Sequence, residues 1–165
     1  MLTIESRATV PGLSGKEVTS FLLDCSDVGY QAWWPGVHLQ LHPLAAGGVD
    51  HLGDVVFMDE IIGSRRVRMT GVIVEAKPGR KIVWQFKKGI RLPVRLALEV
   101  TDQDGGVTIR HTITAGWTGA GRLFDPMFRL YFSPRFSAAM DQHMRTEFPL
   151  LRDRLRATPS NRSDP

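Results

Sequence analysis

An α+β fold, with a curved antiparallel sheet of about seven strands wrapped around one long C-terminal helix, is predicted by three observations. Strand-like segments crowd the stretch between residues 52 and 117, the links between them are too short for parallel pairing, and an amphipathic segment runs from Ser133 to Arg156. That order leaves an apolar hollow between sheet and helix.

Residues 2 to 10 alternate weakly and read as an opening strand, ended by Pro11-Gly12. Ser14 and Glu17 have capping-box spacing, each side chain meeting a free amide at a helix start, and Val18, Phe21, Leu22 and Cys25 follow on one helical face. A second short helix or turn, Ser26 to Ala32, runs into Trp33-Trp34-Pro35-Gly36, where proline and glycine force the chain out. Two small helices therefore follow the first strand. The next strand, Val37 to Leu44, alternates so that Val37, Leu39 and Leu41 share one face and His38, Gln40 and His42 the other.

An antiparallel meander comes next. Val55 to Ile62 turns at Gly63-Ser64 into Arg66 to Ala76, Pro78-Gly79 leads to Lys81 to Lys87, and Val94 to Thr101 turns at Asp104-Gly105-Gly106 into Val107 to Trp117. Period two assigns a covered side to Val67, Met69, Gly71 and Ile73, to Ile82, Trp84 and Phe86, to Val94, Leu96, Leu98 and Val100, and to Val107, Ile109, His111, Ile113 and Trp117. Charged residues such as Arg66, Arg68, Glu99 and Arg110 take the other side. Asp125-Pro126 and Ser133-Pro134 each resemble a capping residue with proline at the first helical position, so a short helix precedes the long one. Phe136, Met140, Met144, Phe148, Leu151 and Leu155 form the stripe that covers the sheet. Pro149 lacks the amide that would bond the carbonyl of Arg145 and is expected to kink the helix.

At 165 residues, with 42% hydrophobic and 23% charged, the chain fits one domain over residues 1–157, and the polar tail 158–165 is expected to be disordered. Cys25 is the single cysteine, which excludes an internal disulfide and a thiolate metal cluster and makes a reducing cytoplasm the default location. The first residues lack a basic patch followed by an apolar core, and no stretch approaches about twenty apolar residues, so no integral membrane association is expected. A net charge of +4 permits attraction to anions. Yet Arg65-Arg66-Val67-Arg68 and Lys87-Lys88-Gly89-Ile90-Arg91 lie at hairpin ends without interleaved aromatics, so nucleic acid is not an expected partner. Self-association into a homodimer is left open.

No nucleophile elbow, zinc-protease helix or Walker loop is present, and Gly116 to Gly121 lacks the spacing of a phosphate-cradling loop. That glycine-rich stretch reads as a flexible junction at the cavity mouth. His38 and His42, with Asp50, His51 and Asp54 nearby, suggest a metal site, but strand residues four apart are about 13 Å apart and no metal is expected there. His111 faces the covered side between Ile109 and Ile113, where an imidazole can orient a guest or move a proton, although a satisfied core histidine is the simpler reading. His143 and Glu147, one helical turn apart at the margin of the apolar stripe, can pair; an ordinary helix-surface pair is the simpler reading there.

The opening strand, the two small helices ending in Trp33-Trp34-Pro35-Gly36, the meander and the closing helix together resemble the START-like helix-grip superfamily. The likeness spans Thr3 to Leu155 and is nearest to the polyketide cyclase/dehydrase and lipid-transport branch, often labelled SRPBCC. Its marks are the tryptophan-proline exit, the passage Val74-Glu75-Ala76-Lys77-Pro78-Gly79-Arg80-Lys81-Ile82-Val83-Trp84, and Gly106-Val107-Thr108 opening the last strand. The resemblance implies a deep cavity that holds a hydrophobic small molecule of lipid, polyketide or aromatic type, with the protein as carrier or sensor and no cofactor. The candidate lining is Trp34, Met58, Met69, Trp84, Phe86, His111, Trp117, Phe124, Phe128, Tyr131, Phe136, Met140 and Met144. The alternative is a cyclase or aromatase in which His111, His143 or Glu147 moves protons. A third is a partner-binding module acting through an exposed edge or helix face.

Overall fold

Gly63 and Gly79 adopt positive φ, +61° and +74°, and each sits in a short link between neighbouring strands. Such links force antiparallel neighbours. The computed structural model describes residues 1–117 and 119–157. β1 (Leu2–Pro11) is followed by α1 (Gly15–Leu23) and α2 (Asp27–Trp33), then by β2 (His38–Ala45), β3 (Val55–Ile62), β4 (Arg65–Lys77), β5 (Lys81–Lys88), β6 (Ile90–Gln103) and β7 (Gly106–Ala115). A 3-10 turn at Gly119–Phe124 leads to α3 (Asp125–Tyr131) and α4 (Pro134–Ala157). The seven strands form one antiparallel sheet in the order β1-β7-β6-β5-β4-β3-β2.

The covered face is the predicted one over most of the sheet. Val67 and Ile73, Ile82 and Trp84, Leu98 and Val100, and Ile109 and Ile113 are all buried. β6 begins at Ile90, four residues before the expected start, because Lys87 and Lys88 pair with Arg91 and Ile90 across the Gly89 turn.

β2 departs from the predicted alternation. His38 pairs with Glu60 while Gln40 pairs with Asp59, so Leu39 is an extra residue in a bulge. A bulge inverts the facing of everything before it. His38, expected beside Gln40 and His42 on the solvent side, is therefore fully enclosed and shares the inner face with Leu41.

α4 is continuous through Pro149 and buries Phe136, Met140, Met144, Phe148 and Leu151. It also buries His143 and Glu147. Its close approaches are to β1 and β3, which lie near opposite edges of the sheet, so the sheet curls around the helix. Among the described residues no helix is long and apolar enough to cross a membrane.

α1 is tied to the far end of the sheet. The predicted capping box is formed, with Glu17 Oε2 accepting from the Ser14 amide at 2.8 Å and Ser14 Oγ accepting from the Glu17 amide at 3.3 Å. The Gly15 amide donates to Asp102 at 2.6 Å, and the Gly79 amide donates to the Thr19 hydroxyl at 2.8 Å. A Cβ on Gly15 points into the Gly79 carbonyl, whereas one on Gly29 meets only Cys25 Sγ and Ser26 Oγ at 3.5 Å. Gly15→Ala is therefore expected to lower unfolding free energy by about 2 kcal/mol, as an overpacked contact does. Gly29→Ala, measured beside it by urea denaturation, is expected to be neutral or to stabilise by up to about 0.5 kcal/mol through helix propensity.

Candidate functional site

Between the middle of the sheet and α4 lies a cavity of about 100 Å³. Its apolar wall is built from Leu41, Met58, Ile73, Trp84, Leu96 and Leu98 of the sheet, with Met140 and Phe148 of α4 and Trp33 of α2. Its polar wall is Tyr30, Glu60, His111, His143 and Glu147. Leu22, Leu23 and Cys25 beside α2, and Pro43, Asp54 and Val56 of the β2–β3 end, complete the lining and are partly or fully exposed. The mouth is therefore at the α1–α2 end of the molecule. Gly116 to Gly121, expected at the mouth, contributes nothing to this lining among its described residues; Gly121 instead backs onto the Trp117 ring.

Of the residues anticipated from sequence, Met58, Trp84, His111, Met140, His143 and Glu147 line the cavity. Phe86, Phe136 and Met144 are buried in the surrounding core, and Met69 packs against it. Trp34 covers the cluster from outside, its ring 4.8 Å from that of His143. Trp117 packs on Phe128 at 4.8 Å, away from the cavity. Tyr131, offered as a guest-orienting residue, is 48% exposed on α3, where the Arg65 guanidinium lies 5.7 Å from its ring. The side chain of Phe124 and the tail 158–165 lie outside the described residues.

The polar wall belongs to a buried cluster drawn from five elements, α2, β2, β3, β7 and α4. His38 Nε2 lies 3.4 Å and His143 Nε2 3.2 Å from Glu147 Oε2. His143 Nε2 is also 3.7 Å from Glu60 Oε2, which accepts the Tyr30 hydroxyl at 2.9 Å. Neither imidazole aims a well-directed hydrogen bond at these oxygens, so Nε2 of both rings, and Nδ1 of His38, are buried without a hydrogen-bond partner among the described residues. Helix α2 holds the frame: Tyr30 stacks on His38 with centroids 4.1 Å apart, and the Trp33 indole donates to the Glu147 carbonyl at 2.6 Å.

The surface pairing of His143 with Glu147 is thus corrected. At 6% and 8% exposure the two face inward, because the curled sheet covers a wider arc of α4 than the apolar stripe alone marks. Tyr30, His38 and Glu60 are the cluster members that sequence reasoning missed. The bulge hid His38, but Glu60 was legible: it shares the period-two row of Met58 and Ile62, an acid in an apolar file.

Burial opposes charge on Glu147, but the imidazoles of His143 and His38 outweigh it and hold the carboxyl well below the usual carboxylate range. Burial likewise opposes charge on His143, yet Glu147 and Glu60 push its pKa upward. Glu60 is raised, by burial and by the Glu147 charge against the pull of His143. The result is an ionised Glu147 facing an imidazole that favours its proton. Burial pushes Cys25 up to about 12, so it is a packed thiol and not a nucleophile.

His111, on β7, reaches the same space with an unpartnered Nδ1, and burial lowers its pKa from 6.5 to about 4, against the pull of Glu147 on α4 and with the push of His143. A base whose folded pKa is depressed binds fewer protons when folded, so its neutral form stabilises fully above pH 6.5 and that stability falls as pH drops towards 4. Between about pH 7.5 and pH 5 the wild type is expected to lose about 2 kcal/mol that His111→Gln does not lose. Paired urea melts at the two pH values measure that difference.

No family model matches the sequence, and no curated protein matches it. Solved structures do. The protein TTHA0849 from Thermus thermophilus superposes with a TM-score of 0.65 at 14% identity, over 96% of this chain and 100% of that one. The di-domain ARO/CYC BexL from the BE-7585A biosynthetic pathway gives 0.58 at 17% identity, over 96% of this chain and 52% of its own length. Ara h 8.0201 gives 0.52 at 12% identity, over 87% and 97%. With strand order, helix placement and these superpositions in agreement, the chain has the START-like helix-grip fold.

Proposed function

We propose that this protein binds a hydrophobic small molecule in the cavity between sheet and α4, as a carrier or sensor. The observation that carries the reading is a cavity with one apolar wall and one wall of buried ionisable groups. Such a wall pair is what a site needs to take up an apolar body and fix its orientation through a few polar contacts. The BexL likeness, an ARO/CYC protein by name, supports the same class of use.

Volume narrows the guest. At about 100 Å³ the cavity is below the roughly 300–1,000 Å³ of sites for drug-sized ligands. A purely apolar cavity of about 150 Å³ holds benzene. Of the lipid, polyketide and aromatic classes, the smallest guest, a single aromatic ring bearing a hydrogen-bonding substituent, comes nearest in size and is taken up with some widening of the cavity, the ring between Trp84, Leu98 and Met140 and the substituent towards Glu60, His111 and His143. A larger guest places only its ring inside, with the remainder leaving between Leu22, Cys25 and Pro43.

Phenol is the direct probe. Its addition to protein carrying ¹³C-methyl methionine is expected to shift the methyl signals of Met58 and Met140 in a saturable way, and to leave exposed Met127 unmoved. Unmoved Met58 and Met140 signals at millimolar phenol sink the reading.

A further inference from the structure

His38 opens β2, Glu60 is on β3, and His143 and Glu147 are one turn apart on α4. One potential ligand atom from each of His38, Glu60 and His143 lies within 4.8 Å of the other two. His143 Nε2 lies 3.7 Å from Glu60 Oε2, and Glu147 Oε2, beside that trio, lies 3.2 Å from His143 Nε2 and 3.4 Å from His38 Nε2. A tetrahedral zinc site with bonds of about 2.0–2.2 Å has ligand-to-ligand edges of roughly 3.3–3.6 Å. Three edges of the cluster, at 3.2, 3.4 and 3.7 Å, already lie close to that spacing.

Two further features point to a cation. The His38 side chain is 0% exposed and that of His143 5%, yet among the described residues their Nε2 atoms have no hydrogen-bond partner. A buried polar atom left so forfeits its hydration, and a metal ion that takes the place of the imidazole proton and bonds the nitrogen lone pair removes that penalty. Formal charge agrees: two carboxylates and a divalent ion with neutral imidazoles sum to zero, the condition under which charge is tolerated away from water. Two imidazole nitrogens with carboxylate oxygens suit borderline first-row ions, while magnesium and calcium prefer all-oxygen shells of higher coordination. Support is in place, since Tyr30 stacks on His38 and hydrogen-bonds Glu60.

We propose that His38, Glu60, His143 and Glu147 bind one divalent transition-metal ion of the zinc class on the polar wall of the cavity. This goes beyond guest binding and does not depend on it, because the metal alone is the probe. Along a single strand the histidine spacing excluded an ion; three separate elements supply the ligands instead.

Chelator-treated protein titrated calorimetrically with Zn²⁺ is expected to take up one ion per chain. His143→Gln and His38→Gln are expected to weaken that uptake by more than about 100-fold. His42→Gln, which removes an exposed imidazole 3.0 Å from Asp27, is expected to leave it unchanged. Wild-type long-range ¹H–¹⁵N imidazole spectra give a readout that needs no variant to fold: Zn²⁺ is expected to shift the Nε2 signals of two histidines, His38 and His143, with His42 and His51 unmoved. Absence of stoichiometric uptake, uptake retained in both buried-histidine variants, or shifts confined to His42 and His51 each overturn the proposal.

Discussion

A single helix has to cover the apolar face of a seven-strand sheet, and the rest of the structure follows from that mismatch. Seven strands spaced by about 4.8 Å are roughly 29 Å across, whereas a helix with its side chains is about 10–12 Å wide. Lying on a flat sheet, α4 leaves most of the inner rows in water. Curling brings β1 and β3 against its two sides. The middle strands then stand farther from the helix axis, and Trp84, Leu96, Leu98 and Met140 line the space left between the layers. The cavity is what remains of that gap, and α1 and α2 partly close its end.

The ionisable cluster occupies this gap at a cost to stability. Buried ion pairs commonly contribute less than well-packed apolar residues of the same size, because desolvation opposes the attraction between them. Here the groups are held by a dedicated aromatic frame: Tyr30 on His38, Trp33 on the Glu147 carbonyl, and Trp34 over His143. A local departure from apolar packing, supported by its surroundings, is the pattern expected of a functional site and not of a core. Asp59 shows the opposite arrangement. That carboxylate is equally buried but pairs with Arg66 at 2.6 Å and Arg68 at 3.2 Å on the outer face of the sheet, where it joins β3 to β4.

Much of the architecture was legible because it rests on local chemistry. Ser14 with Glu17 marked a helix start, Gly63-Ser64 and Pro78-Gly79 marked turns, and period two in β4 to β7 marked the covered face. Each depends on residues within a few positions of one another. The site was less legible for two reasons. An extra residue at Leu39 reversed the facing of His38, and no local signal announces a bulge that tertiary pairing with β3 selects. The aromatic residues of the C-terminal half, Trp117, Phe128 and Tyr131, have the right chemistry for a lining but pack among themselves and their neighbours near α3. Residue type does not encode distance from a cavity.

Amino-acid order alone settled the element types, the antiparallel links and the apolar stripe of α4, since helix caps, turn dihedrals and side-chain period are properties of short segments. Three-dimensional packing decided which way His38 faces, that His143 and Glu147 turn inward, and that Glu60 joins them. Those outcomes depend on strand register and on how far the sheet curls around α4, and both are set by contacts between residues far apart in the chain, such as His38 with Glu147, beyond the reach of any local pattern.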